Sequence, residues 1–282
     1  RSRGLGDVYK RQVYLSCLQS LYPNTILGQD IAGSVDSIEK ITVNDLKDNF
    51  DCFYRPANCH LVLVGDFDVE NIYTLVNEKQ SKFTPPERIV EKEKHPIESD
   101  IQKLDSLQME IFISKLAIGF KSVPFTDNRM RENILVQLLF NLLFGWTSPY
   151  YQNWYAEGKI DESVSIEYEV SNRYSFVIMT MDTAEPIRMS SLIRQVMTSA
   201  DKKRLLTEEA LDLQKKALYG EFLRSLDNIQ NLGSQYLAYF ENDKTYFDFG
   251  QELMSITSKE LKDFLNHYLS NMEITDFVVF PK

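Results

Sequence analysis

Hydrophobic and polar positions follow two different periods along the chain, and together they predict an α+β fold. Apolar residues spaced three and four apart predict amphipathic helices over 13–22, 44–54, 68–82, 131–144, 149–158, 186–203, 207–242 and 258–270. Short, nearly continuous apolar runs predict strands over 60–66, 109–122, 161–170, 174–183 and 274–280. Strands mixed with helices in this order favour mainly antiparallel sheets covered by helices.

Two helices in the first part of the chain have clear start signals. Thr42 or Asn44 is expected to cap the helix at 44–54, and Asp68 the helix that follows the strand at 60–66. The apolar faces that these two helices should bury consist of Leu46, Phe50, Phe53 or Tyr54, and of Ile72, Leu75 and Val76. In the later helix at 207–242, Gly220 and Gly233 are expected weak points.

One pattern occurs twice. The segment "ITVNDLKDNFDCFYRPANCHLVLVGD" begins at Ile41, and "ITSKELKDFLNHYLSNMEITDFVVF" begins at Ile256. Each contains Ile-Thr, a capped amphipathic helix with Leu-Lys-Asp, and then a hydrophobic strand. A repeat of this kind favours two related units, each closed by the same helix and strand. Coincidence is the alternative, because a helix followed by a strand is common.

The segment over 83–100 differs in composition from its surroundings. It contains Pro85, Pro86 and a charged run, and we interpret it as a linker that limited proteolysis should cut first. We therefore predict a first unit over 13–82, which is incomplete, and a second unit over 101–282. Residues 1–12 are basic and lack an apolar signal core, and we interpret them as a non-native leader, with a frayed native terminus as the alternative.

Composition excludes several classes of function. The net charge of −10 argues against nucleic acid as a partner, because nucleic-acid binding needs clustered Lys and Arg. No uncharged apolar run is long enough to cross a membrane, and residues 134–144 fit a buried core helix. The cysteines Cys17, Cys52 and Cys59 have no metal-ligand spacing, so we expect buried thiols, a reducing compartment and a cytoplasmic location.

Ordered landmarks over 28–66 carry a resemblance to a known family. They are Gly28, Ile31, Gly33, Ile38, Ile41, Thr42, Leu46, Tyr54, Pro56, Asn58, Val64, Gly65 and Asp66. In this order they resemble the end of the N-terminal domain of pitrilysin/insulinase zinc metallopeptidases. The later segment "LLFNLLFGWTSPYYQNWYAEGKIDESVSIEY" resembles the C-terminal domain of the same family. Within the family the chain is most similar to bacterial processing-type peptidases.

The resemblance implies a zinc site that this sequence does not contain. The family uses a helical H-x-x-E-H, in which two imidazoles bind Zn²⁺ and the Glu activates the metal-bound water. The three histidines, His60, His95 and His267, lack a second His at that spacing. We therefore expect no catalytic and no metal-binding residue in this chain, and no zinc cofactor except in the intact parent. By this resemblance the chain is truncated at its N-terminus and inactive by itself.

Substrate-binding residues are harder to assign. Family members hold the substrate backbone with an Arg and a Tyr, which would fall near Trp154 and Asp161 of this chain, and neither residue matches. The weak candidates for peptide contact are Tyr151, Trp154 and Tyr155, which form an aromatic cluster with Tyr150. Ordinary packing of large aromatic residues beneath a sheet is the alternative for this cluster.

The resemblance therefore implies a fragment of a zinc-dependent metalloendopeptidase that supplies the chamber and the substrate-binding half. Its expected partners are a peptide substrate and a second, related peptidase-like subunit. Two alternatives remain open. One is a non-catalytic partner subunit of a clamshell peptidase, and the other is a peptide-binding scaffold whose sheet edge adds a strand from a partner.

Overall fold

In the computed structural model the helices and strands of this chain form two compact units. The structure describes residues 5–82, 100–171, 173–199, 205–240 and 244–282. The sheet unit comprises residues 1–30, 95–220 and 249–282, and the helical unit comprises residues 31–94 and 221–248. The predicted linker at 83–100 lies outside the described residues except for its last position. The fold is mixed α+β, as the sequence pattern predicted.

The sheet unit is built on five strands in the order β1-β5-β2-β4-β3. Their bounds are β1 Leu104–Met109, β2 Lys115–Ser122, β3 Ser165–Val170, β4 Ser175–Asp182 and β5 Glu273–Pro281. β1 runs parallel to β5, and every other neighbouring pair is antiparallel. The predicted strand at 109–122 is therefore two strands, because the chain turns at 110–114 and β1 pairs with β5, whereas β2 lies between β5 and β4.

Helices cover both faces of this sheet. Their bounds are α1 Leu5–Leu21, α5 Arg129–Phe144, α6 Pro149–Ala156, α7 Pro186–Thr198, α8 Glu208–Leu226, α10 Phe249–Ser255 and α11 Ser258–Asn271; the last part of α8, from Glu221, belongs to the helical unit. Side chains of β2 alternate between the two faces, as the pleat requires. Ala117 packs in the cluster of α1, whereas Phe120 meets Phe140 of α5 edge to face, with ring centroids 5.2 Å apart.

Helix α1 packs directly on the middle of the sheet. Its Val13, Cys17 and Leu21 are buried in one apolar cluster with residues of β2, β4 and β5. The close approach requires Gly119 in β2, because a Cβ there would lie 2.8 Å from Leu21 Cδ1 and 2.9 Å from Cys17 Sγ. We expected residues 13–22 to group with 44–82, and the structure instead packs them on this sheet.

The helical unit contains α2 Val35–Glu39, α3 Val43–Phe53, α4 Val69–Gln80 and α9 Ile229–Tyr239. Its local signals are intact. Thr42 caps α3 in a reciprocal capping box with Asp45, and Asp68 caps α4, as the sequence predicted. The predicted helix at 207–242 is two helices, and the break between α8 and α9 falls at residues 227–228, where Asn228 caps α9. Gly220 and Gly233, the predicted weak points, lie inside α8 and α9.

Two predictions for this unit fail. The segment at 60–66 forms no strand, because the described part of the unit offers no neighbouring strand with which it can pair. The apolar faces of α3 and α4 are not buried: Leu46 and Phe50 are exposed, and Ile72 and Val76 are only half-buried. Over residues 31–56 and 58–82, no side chain that the structure describes is buried.

Candidate functional site

The candidate site is an open cleft of about 340 Å³ in the sheet unit, formed by α6, α7 and the turn after α6. It is lined by Tyr150, Asn153, Trp154, Glu157, Lys159, Leu192, Gln195, Val196 and Ser199. Four of these residues come from α6 or its C-terminal cap, at the spacing of one helix face. The cleft therefore follows from how α6 is oriented.

Two local features orient α6. Ser148 caps the helix by accepting a hydrogen bond from the Tyr150 N–H at 3.2 Å, and its hydroxyl donates to the Leu143 carbonyl at 2.6 Å. The helix begins only a few residues after α5, which Gly145 caps. An added Cβ at Gly145 would lie 2.5 Å from the Asn141 carbonyl oxygen. After the helix, Gly158 takes a φ of +67°, the left-handed region that glycine adopts without strain.

Trp154 forms the aromatic floor of the cleft. Its ring stacks between Phe144 and Tyr150, at centroid distances of 6.3 and 6.0 Å, and its side chain is buried. Trp154 therefore packs against the core, and one part of it lines the cleft. Its contact with peptide stays a prediction.

Tyr151 and Tyr155, the other two predicted candidates, do not line the cleft. They lie on the opposite face of α6 and stack on each other at 6.1 Å, and the Tyr151 hydroxyl donates to the Asp161 carbonyl at 3.5 Å. Burial, followed by the neighbouring Tyr155, raises the pKa of Tyr151. Their role in peptide contact stays a prediction.

The rim of the cleft carries a charged pair that the sequence analysis missed. Lys159 Nζ donates to Glu157 Oε2, and this hydrogen bond with the Lys159 charge lowers the pKa of Glu157. Asn153 and Gln195 add amide donors and acceptors. Residues of α7 lie about forty positions away in sequence, so no local motif could have assigned them to this site. The arrangement can accept an apolar side chain against Trp154 and hydrogen-bond a peptide backbone at the rim.

The side chains that the structure describes do not form a site that fits a zinc ion. Among the described residues, no group of three His, Cys, Asp or Glu side chains is arranged to hold a metal. His60 meets the ring of Phe240 edge to face at 5.9 Å, and His267 Nε2 lies 3.2 Å from the Val123 carbonyl oxygen. His95 lies outside the described residues. We assign no zinc-dependent step to this chain, and its expected lack of zinc stays a prediction.

Comparison with known proteins supplies the family. A family profile described as "Peptidase M16 inactive domain" matches residues 40–218. The chain belongs to the M16 peptidase family. The resemblance to pitrilysin-type peptidases is therefore confirmed. None of the helices in the described part of this M16 chain has the length and apolar character needed to cross a membrane.

Relatives and a solved structure agree with this assignment. The chain is 29% identical over 276 residues to "Uncharacterized zinc protease YmfH" of Bacillus subtilis, covering 96% of this chain and 64% of that protein. It is 22% identical to "Non-peptidase homolog YmxG" of Helicobacter pylori, covering 95% of this chain and 62% of that protein. An M16-like peptidase structure from Alicyclobacillus acidocaldarius is similar with a TM-score of 0.87 and 25% identity, covering 98% and 67% of the two chains. The chain thus spans less than two thirds of the length of these two relatives.

Proposed function

We propose that this chain is the non-catalytic, peptide-holding part of an M16 zinc metalloendopeptidase. The observation that carries the proposal is the match of residues 40–218 to the inactive domain of the family. In the intact parent, zinc chemistry belongs to another part of the protein. The residues described here contribute a wall of the chamber and a surface on which the substrate lies.

The cleft beside α6 is the proposed place of contact with the peptide. Its floor is the ring of Trp154, and its rim offers the amides of Asn153 and Gln195 and the pair formed by Glu157 and Lys159. Pockets that combine an apolar floor with a few polar groups are the usual form of a ligand site. Such a cleft suits one apolar side chain of an extended peptide together with its neighbouring backbone groups.

The first part of the chain supports a related proposal on domain organisation. The repeated pattern begins at Ile41 and at Ile256, and both copies have intact helix caps. It supports the view that the residues before the predicted linker at 83–100 belong to a peptidase-like domain of their own. The bare apolar faces of α3 and α4 support the idea that this domain is completed by further polypeptide. A related peptidase-like subunit remains the proposed partner.

Fluorescence anisotropy with a fluorescein-labelled tryptic digest of casein tests the peptide site. We expect measurable binding to the full chain and loss of most of it in Asn153→Trp, because the exposed Asn153 lies at the cleft and the indole would fill it. The matched control is Tyr155→Trp, which introduces the same side chain on the opposite face of α6 and should leave binding unchanged. Loss of binding in Tyr155→Trp alone would place the peptide on the stacked tyrosines instead.

A second candidate function is a partner subunit that never had a catalytic site. The similarity to the protein named "Non-peptidase homolog YmxG" favours this alternative, because that relative covers as much of the chain as the protein named a zinc protease does. Reading the gene upstream of residue 1 separates the two. An intact H-x-x-E-H motif there supports the peptidase parent, and a reading frame without the motif supports the partner subunit.

A further inference from the structure

A buried carboxyl group closes the loop at 123–128 between β2 and α5. Glu132 lies in the first turn of α5, and only 1% of its surface is exposed. Its Oε2 accepts hydrogen bonds from the backbone N–H groups of Phe125 at 3.0 Å and Thr126 at 3.2 Å. This single oxygen therefore fixes the loop to the helix that follows it.

The other oxygen of the same carboxyl group has a different environment. Glu132 Oε1 and the hydroxyl of Tyr268 on α11 are both buried, and neither has a hydrogen-bond partner among the described residues. Burial chiefly, and then the charges of Tyr22 and Glu132, raise the pKa of Tyr268, so Glu132 and Tyr268 interact electrostatically. An ionised carboxylate that is buried without a cationic partner is costly, whereas a protonated carboxyl can donate a hydrogen bond.

Cations near this carboxyl group are engaged elsewhere. In the described part of the chain, Glu132 forms no ion pair. Arg131, its neighbour on α5, binds Glu260 and Glu252 on the helices packed against α5. The other titratable groups around the site are His267 and Tyr268 on α11, and Tyr22, which comes directly after α1. Burial raises the pKa of Glu132 to about 7, although the two N–H bonds act to lower it.

The loop itself is held on α11 by weaker contacts. The Phe125 ring meets Phe264 and His267 edge to face, with centroid distances of 5.8 and 5.2 Å. The Val123 carbonyl oxygen lies 3.2 Å from His267 Nε2. Phe125 nevertheless remains partly exposed. The contacts of the loop with α11 are thus a ring pair, a ring-edge contact with His267 and one contact to a backbone carbonyl.

We propose that Glu132 carries a proton on Oε1 in mildly acidic solution and acts as a pH-sensitive latch on the loop at 123–128. In the closed state the neutral Oε1–H stays buried while Oε2 holds the two backbone N–H groups. When the proton leaves to solvent, the carboxylate charge is unpaired in the closed site. The loop then opens so that water reaches Oε1.

The difference between the pKa of Glu132 in the closed state and in the open state fixes the direction and size of the pH effect on loop opening. The pKa of Glu132 rises from an ordinary value of 4.5 to about 7 in the closed state, so closure binds a proton that the open state releases. Closure is therefore favoured below about pH 4.5 and loses its advantage progressively as the pH rises to about 7. Between pH 6 and 8 these two values give a rise in the loop-opening equilibrium of about tenfold.

Hydrogen exchange on the full 282-residue chain tests the latch. We expect the peptide covering 123–128 to lose protection about tenfold between pH 6 and 8, after correction for intrinsic exchange. Glu132→Gln keeps the acceptor for the two N–H groups and cannot ionise, so its protection should not change with pH. Asp127→Asn removes an exposed charge from the same loop and should behave like the unmodified chain.

Two further measurements keep the test decisive. His267 also contacts the loop through the Val123 carbonyl oxygen, so His267→Gln must retain the tenfold effect. If Glu132→Gln does not fold, the unmodified chain is compared with its own strand β4, whose protection should not depend on pH after correction. Equal pH dependence of the loop and β4, or a tenfold effect that His267→Gln abolishes, overturns the proposal.

Discussion

Helices α3 and α11 carry nearly the same sequence pattern and have opposite surroundings. Both follow Ile-Thr, both are capped by the threonine, and both contain Leu-Lys-Asp. In α11, Leu261, the leucine of this motif, is fully buried against the sheet unit. In α3 the corresponding Leu46 is 60% exposed. The strand after α11 is β5, in the interior of the sheet, whereas the segment after α3 pairs with none of the strands that the structure describes.

This difference separates what local sequence encodes from what packing supplies. Caps and helical spacing lie within a few residues, so both copies form their helices. Burial needs a sheet on which the apolar face can lie, and in the described residues only the second copy has one. The bare face of the first copy is the main reason to expect that further polypeptide completes it.

The largest expected effect is on the stability of the second copy. Leu261→Ala removes a fully buried side chain and should lower the free energy of unfolding by about 2–5 kcal/mol. Leu46→Ala is the matched substitution in the first copy and should change it by no more than about 0.5 kcal/mol. Urea unfolding followed by circular dichroism measures both. Similar losses for the two variants would show that α3 also packs in a core.

The packing of α1 on the sheet gives the next effect in size. Gly119→Ala places a methyl group against Leu21 and Cys17, and should destabilise the chain by about 1–3 kcal/mol. Gly220→Ala is the control, because no atom lies within 4 Å of its Cβ in the interior of α8. It should stabilise the chain by about 0.5–1 kcal/mol. A neutral Gly119→Ala would mean that α1 does not rest on β2.

The smallest expected effect is on self-association of the chain through the exposed apolar face of α3. Phe50→Glu puts a charge on the exposed apolar face of α3, so the concentration at which the chain self-associates should rise. Asn49→Glu adds the same charge at the neighbouring position and should have a weaker effect. Light scattering over a concentration series measures both. Equal behaviour of the two variants would indicate a general effect of net charge.

Much of the fold could be predicted because its signals are local. The helix bounds at α5, α6 and α11 and the pairing of β3 with β4 agree with the sequence pattern to within two residues, and Thr42 and Asp68 cap as expected. Helix α7 begins where predicted, at Pro186, but ends five residues early, at Thr198. The grouping of α1 could not be predicted in this way. An apolar helix face does not specify its sheet, and the glycine that admits α1 lies in a strand about a hundred residues later.

The candidate site was predictable only in part, for the same reason. Trp154 was named from its aromatic neighbours, and it does line the cleft. Tyr151 and Tyr155 were named with it, but the helix turns them to the opposite face. The rim residue Gln195 belongs to α7, and only tertiary packing brings it to α6. Glu132 gave no sequence signal, because burial of a carboxyl group depends on the elements around it.

One measurement tests most directly whether this chain holds peptide without cutting it. The full chain is incubated with the labelled casein digest and an equimolar amount of Zn²⁺, and the bound peptides are recovered and identified by mass spectrometry. We expect bound peptides that are intact and identical to those of a control sample with a chelator. Recovery of new, shorter peptides that disappear when the chelator is present would contradict the proposal, because the chain would then contain a zinc-dependent catalytic site.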